Sequence, residues 1–179
     1  MAPPVVYFLF RCSIFMSSTL TFQVMWYAKC LVTVNKHLFY PKIICIMSYS
    51  CNRGSSWQDY ISSLHSSGIV LKAAIFGLQK RRKYAASSDF NLYPVEIKTL
   101  INSFTEPEML YTHGIMLEDE KYTCVRHDST TIQGKRSTGG CCIVKTKDLL
   151  LITVHPESQG YNCLNLTTKL ANFFTANKY

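Results

Sequence analysis

From residue 55 onward the apolar positions change period several times, and each change marks an element. Trp57, Tyr60, Ile61 and Leu64 fall at i, i+3, i+4 and i+7, one face of a helix. Ser55 or Ser56 can cap that helix, Asp59 sits in its first turn near the positive end of the dipole, and Gly68 can stop it. Ile69 to Phe76 then reads as a strand ending at Gly77. A basic turn follows over Leu78–Lys83, and a second strand over Tyr84–Ser87. Pro94 opens a second helix at its first position, where the missing N–H costs nothing, and Val95, Ile97, Leu100, Ile101 and Phe104 supply its buried face. Glu106-Pro107-Glu108 is expected to end it.

Short strands with turn signals between them come next, about Gly114–Leu117, Tyr122–His127, Thr130–Gly134, Cys141–Lys145 and Leu149–Val154, with Gly139-Gly140 and Lys147-Asp148 as turns. The last element, about Asn162 to Ala176, carries Leu166, Leu170, Phe173 and Phe174 at helical spacing. The short links between successive strands predict an α+β domain, with a central antiparallel sheet and helices covering its faces.

Charge divides the 179-residue chain. Residues 1–54 carry five basic residues (Arg11, Lys29, Lys36, Lys42, Arg53) and no acid; residues 55–179 carry 14 basic and 11 acidic, a net +3 out of the whole chain's +8. So sharp a change of composition predicts an N-terminal extension, 1–54, outside a folded domain, 55–179. The extension's longest uncharged stretch, Cys12–Ala28, holds six polar residues and is marginal against the roughly 20 apolar residues a spanning helix needs. Its first charge, Arg11, follows the apolar block instead of preceding it, unlike a signal peptide. Three readings stay open: a translated upstream region, a poor membrane or targeting segment, or a lineage-specific extension.

Candidate chemistry changes this picture little. None of the eight cysteines forms a C-x-x-C, and no His/Cys cluster has zinc spacing. Cys141 and Cys142 are adjacent in a strand, so they face opposite sides and read as buried thiols of a reducing compartment. A cysteine-dependent enzyme would need a low-pKa thiol. His127-Asp128-Ser129 has the letters of a triad, yet adjacent residues cannot build its relay. His113 and His155 have no evident ligand partners, and the Asn165-Leu166-Thr167 sequon lies on a helix. No phosphate loop, dinucleotide motif or carboxylate pair is present; no cofactor, metal or nucleic acid is implied. Lys80-Arg81-Arg82-Lys83 reads as a solvated hairpin turn, with a nuclear signal or lipid contact as the other reading.

Six segments taken together are specific. Ser56-Trp57-Gln58-x-Tyr60, Lys72-Ala73-Ala74-Ile75-Phe76-Gly77, Pro94-x-Glu96-Ile97, Glu120 to Arg126, Gly134 to Gly140, and Lys169-Leu170-Ala171-Asn172-Phe173-Phe174 running to Tyr179 resemble, in order and spacing, the profilin family. The resemblance implies a sheet with the first and last helices side by side on one face and further short helices on the other. It also implies a non-enzymatic, cytoplasmic, cytoskeletal regulator of actin polymerisation that binds monomeric actin, proline-rich proteins and phosphoinositide lipids.

On spacing alone Trp57 and Tyr60 read as core. The resemblance assigns them, with Tyr84, Phe173 and Tyr179, to a proline groove, Tyr84 standing where the family usually has Trp. It assigns actin contacts to Lys121, Arg126, Arg136 and Lys169; Lys135 and Arg136 could also meet phosphoinositide headgroups, since both side chains bind phosphate well. The segment Pro156–Tyr161 departs from the family pattern at the actin side. A membrane-associated phosphoinositide-binding module with weak or no actin binding is the competing expectation.

Overall fold

The computed structural model describes residues 56–177. The extension, its four cysteines, the Ser55 cap and Tyr179 lie outside the described residues. Helix α1 (Trp57–Ser66) is followed by β1 (Lys72–Gly77), β2 (Lys83–Ala86), α2 (Pro94–Ser103), α3 (Glu108–His113), β3 (Ile115–Leu117), β4 (Glu120–His127), β5 (Thr131–Arg136), β6 (Gly139–Lys145), β7 (Leu149–Pro156), a 3-10 turn (Glu157–Gln159) and α4 (Gly160–Ala176). The seven strands form one antiparallel sheet in the order β2-β1-β7-β6-β5-β4-β3.

Strand alternation divides the interior into two cores. Toward the terminal helices point Ala73 and Ile75 of β1, Cys142 and Val144 of β6, and Leu149 and Leu151 of β7; they pack with Ile61 and Leu64 of α1 and Leu166, Leu170 and Phe174 of α4. Toward α2 and α3 point Ala74, Phe76, Cys141, Ile143, Leu150 and Ile152, which meet Ile97, Leu100 and Leu110. The expected arrangement, terminal helices on one face and short helices on the other, is the one found. Between α4 and the sheet runs a buried polar link: the Thr153 and Thr167 hydroxyls stand 2.9 Å apart, beside the carbonyls of Cys142 and Cys163.

Three boundaries differ from the sequence reading. Pro107 does not close α2, which already ends at Ser103; it caps the additional short helix α3, since a residue without an N–H suits a helix start. Only Leu110 of α3 is buried, so no apolar stripe announced it. Gly139-Gly140 open β6 instead of forming a turn, and α4 begins two residues early, at Gly160. The basic run Lys80–Lys83 is exposed at the hairpin, with Lys80–Arg82 in the turn and Lys83 opening β2, and the Gly77 N–H closes the turn by donating to the Arg82 carbonyl at 2.8 Å. No helix of the described residues is long and apolar enough to cross a membrane.

Ile152 of β7 is fully buried, so Ile152→Ala is expected to cost about 2–5 kcal/mol. Val125→Ala on the exposed side of β4 should stay within about 0.5 kcal/mol. Urea unfolding of the two variants checks the contrast.

Candidate functional site: an aromatic shelf and a divided basic surface

The shelf begins with a capping box. The Ser56 N–H donates to the Asp59 carboxylate at 2.9 Å, and the Ser56 hydroxyl accepts from the Gln58 N–H at 3.3 Å, fixing the start of α1. The Gln58 side-chain amide then donates to the Ala86 carbonyl at 3.2 Å, tying α1 to the edge strand β2. That tether holds the Trp57 ring against Tyr84 of β2, stacked at 4.8 Å between centroids and 14° between planes. Tyr84 in turn lies across Gly77. A Cβ at Gly77 would fall 2.9 Å from the Tyr84 ring, so the absence of a side chain there is what lets the ring lie flat on the sheet.

Helix α4 completes the cluster. Phe173 sits 6.0 Å from Tyr60, and Phe174 meets Tyr60 edge-on at 5.0 Å and Trp57 at 5.4 Å. Phe174 is buried and forms the floor; Trp57, Tyr60 and Phe173 are half-buried, and Tyr84 is 42% exposed. The structure therefore brings together four of the five residues assigned to a groove from sequence, while the fifth, Tyr179, lies outside the described residues. Sequence reasoning missed Phe174 as the floor and Gly77 as the seat of Tyr84; helical spacing had marked the first as core, and nothing local marked the second.

The basic residues are divided by the sheet. Lys135 lies opposite Thr123, but Arg126 lies opposite Gln133, because Val125 is an extra residue that shifts the β4–β5 register by one. Gln133 and Lys135 share a face. The bulge thus moves Arg126 onto the side of Lys121 and Lys135, and that is the side of the sheet on which α1 and α4 pack. Arg136 faces the other way. It pairs with Glu120 and lies over the Tyr122 ring at 5.3 Å. The Lys135–Arg136 pair therefore does not present one joint surface. Arg126 pairs with Asp128 at 3.5 Å and Lys135 with Glu157 at 3.8 Å, all exposed and worth little individually. Lys169 is on the exposed side of α4.

Asp128 accepts from the N–H groups of Thr130 and Thr131, an Asx turn at the β4–β5 link. Burial pushes the Cys141 thiol up to about 12 and raises Cys124 as well, the opposite of an activated nucleophile. His155, which showed no ligand partner in the sequence, lies in a buried cluster with Cys142 and Cys163, residues too far apart in the chain for spacing to reveal.

Half-exposed rings, three of them with polar tips, thus lie between two helices and a sheet edge on a small α+β domain. The profilin family model matches residues 55–179. Profilin of Schizosaccharomyces pombe is 36% identical over 104 residues, covering 58% of this chain and 82% of that protein. Acanthamoeba castellanii profilin IB has the same fold, with a TM-score of 0.65 at 29% identity, covering 69% of this chain and all of that one. Mouse profilin IIa, solved in complex with a double repeat from the FH1 domain of mDia1, superposes with a TM-score of 0.61 at 20% identity, over 70% of this chain and all of the mouse chain. The chain belongs to the profilin family.

Two outcomes follow. Gly77→Ala should push Tyr84 off the sheet and change the near-UV circular dichroism of Trp57, at a stability cost of about 1 kcal/mol or less because the ring can move. In a Tyr84→Ala background the same change should be silent. The hydrogen bond from Arg136, aided by its charge, also holds the Glu120 carboxyl below its ordinary value of 4.5. A depressed carboxylate stabilises fully above the ordinary value and loses that contribution as pH falls through the depressed one. Glu120→Gln should therefore flatten the acid limb of a stability–pH curve by lowering stability slightly at neutral pH, where the ion pair contributes, and leave it nearly unchanged in acid, where the carboxyl is already protonated.

Proposed function

We propose that residues 55–179 are a binding domain for monomeric actin and proline-rich peptides, acting without chemistry of its own, and that residues 1–54 are an extension outside this unit. The carrying observation is the half-exposed stack of Trp57 on Tyr84, flanked by Tyr60 and Phe173. A polyproline II ligand arrives preformed, with flat rings and bare carbonyls. Aromatic faces take the rings, while indole N–H and phenol O–H groups can donate to the carbonyls. Mouse profilin IIa, with its FH1 repeat, lends the reading support from the same fold. Tyr179 completes the groove in this reading.

Actin docks, in this reading, on the basic side through Lys121, Arg126 and Lys169, with Lys135 adding to the field that speeds encounter with an acidic partner. Arg136 contributes by holding Glu120 and the end of β4, not by direct contact on that side. Binding actin on one surface and a proline-rich factor on another raises the local concentration of actin at the factor, with a cytoplasmic place of work beside the cytoskeleton. Phosphoinositide binding through Lys135 and Arg136 has less support, since the two cations face opposite sides of the sheet.

Titration with a proline decamer should quench or shift Trp57 fluorescence, and Trp57→Ala should weaken binding by about tenfold or more. An unchanged spectrum at saturating peptide would sink the groove. Arg126→Glu should slow actin association by about tenfold and reduce its salt dependence, as read by stopped-flow mixing. Liposome co-sedimentation, set beside an actin-sequestration assay, separates this reading from a membrane module: lipid binding without actin binding would reverse the conclusion.

A further inference from the structure

We propose that Cys142, His155 and Cys163 form a binding site for copper(I). One donor atom of each residue lies within 4.8 Å of the others, and the three side chains are 1%, 7% and 0% exposed. They come from three elements, β6, β7 and the first turns of α4, so the fold and not a local motif assembles them.

The imidazole is prepared for a metal. His155 Nδ1 stands 2.8 Å from the Pro156 carbonyl oxygen. A carbonyl only accepts, so Nδ1 carries the proton and Nε2 keeps its lone pair, the tautomer that a second-sphere carbonyl selects in metal-bound histidines. Two glycines border this ring. A Cβ at Gly140 would lie 2.8 Å from His155 Cε1 and Nε2, and one at Gly160 would lie 3.3 Å from Cε1.

The donor set selects the ion. Copper(I) would bond to Cys142 and Cys163 as each thiol releases its proton to solvent; the two resulting thiolates are soft ligands that suit copper(I), and an imidazole also ligates copper. Zinc would want a fourth ligand. The Thr153 hydroxyl, 3.3 Å from Cys163 Sγ, is already engaged with the Cys142 carbonyl and the Thr167 hydroxyl. Calcium and magnesium require oxygen donors. A bound ion would join β6, β7 and α4, closing the ends of the Pro156–Gly160 segment.

The test uses the full chain with Cys12, Cys30, Cys45 and Cys51 replaced by serine, so that only the late thiols remain. Anaerobic copper(I) titration against bicinchoninate should show one equivalent bound. Cys142→Ser and Cys163→Ser should each weaken that binding by at least about 100-fold and His155→Gln by about tenfold or more, with Cys124→Ser unchanged. X-ray absorption on the unsubstituted site gives a readout that needs no variant of the three ligands: two sulfurs and one imidazole nitrogen are expected at copper. No bound equivalent, a sulfur-only shell, or affinity indifferent to both Cys142→Ser and Cys163→Ser overturns the proposal.

Discussion

Strand β7 is buried on both faces and paired along both edges, and the rest of the domain is arranged around that constraint. Its odd positions, Leu149 and Leu151, face the terminal helices, and its even positions, Leu150 and Ile152, face α2 and α3. A strand so placed can satisfy its backbone only through β1 and β6. It can shed its apolar surface only by having helices on both sides. Because α1 covers β1 and β2 while α4 covers β6 and β7, the order β2-β1-β7-β6 brings the two chain ends of the domain next to each other. The aromatic shelf follows from that arrangement.

The shelf shows how one set of residues serves both cohesion and recognition. Phe174 is spent wholly on the core, whereas Trp57, Tyr60 and Phe173 are only half-buried against it. Their mutual contacts, between 4.8 and 6.2 Å, hold the rings in place before any ligand arrives. Preorganisation of this kind spares a ligand the cost of ordering side chains on docking. The edge strand β2 contributes Tyr84 to the same surface, so the site crosses from helix to sheet without using a flexible loop.

Much of this was legible in the chain. Helical spacing at Trp57–Leu64 and Leu166–Phe174 marked the terminal helices, Pro94 marked α2, and turn residues divided the meander, because each signal is local. The failures were of two physical kinds. Helix α3 exposes Met109 and Tyr111 and buries only Leu110, so it offered no periodic stripe. Features set by contacts distant in sequence left no trace at all: the glycine beneath Tyr84, the meeting of His155 with two cysteines, and the division of the basic residues. Tyr84 and Phe173 were placed beside Trp57 and Tyr60 by resemblance to a family, not by spacing, and the geometry accounts for why they meet.

The extra residue at Val125 has a consequence for how related chains are compared. One inserted residue adds a single valine to β4 yet turns over every side chain beyond it. In a strand without that extra residue the arginine would turn toward the opposite side of the sheet. Homology of position along this strand is therefore a property of hydrogen-bond partners and not of residue count, and charge inventories taken from gapless alignments would assign this cation to the wrong side of the protein.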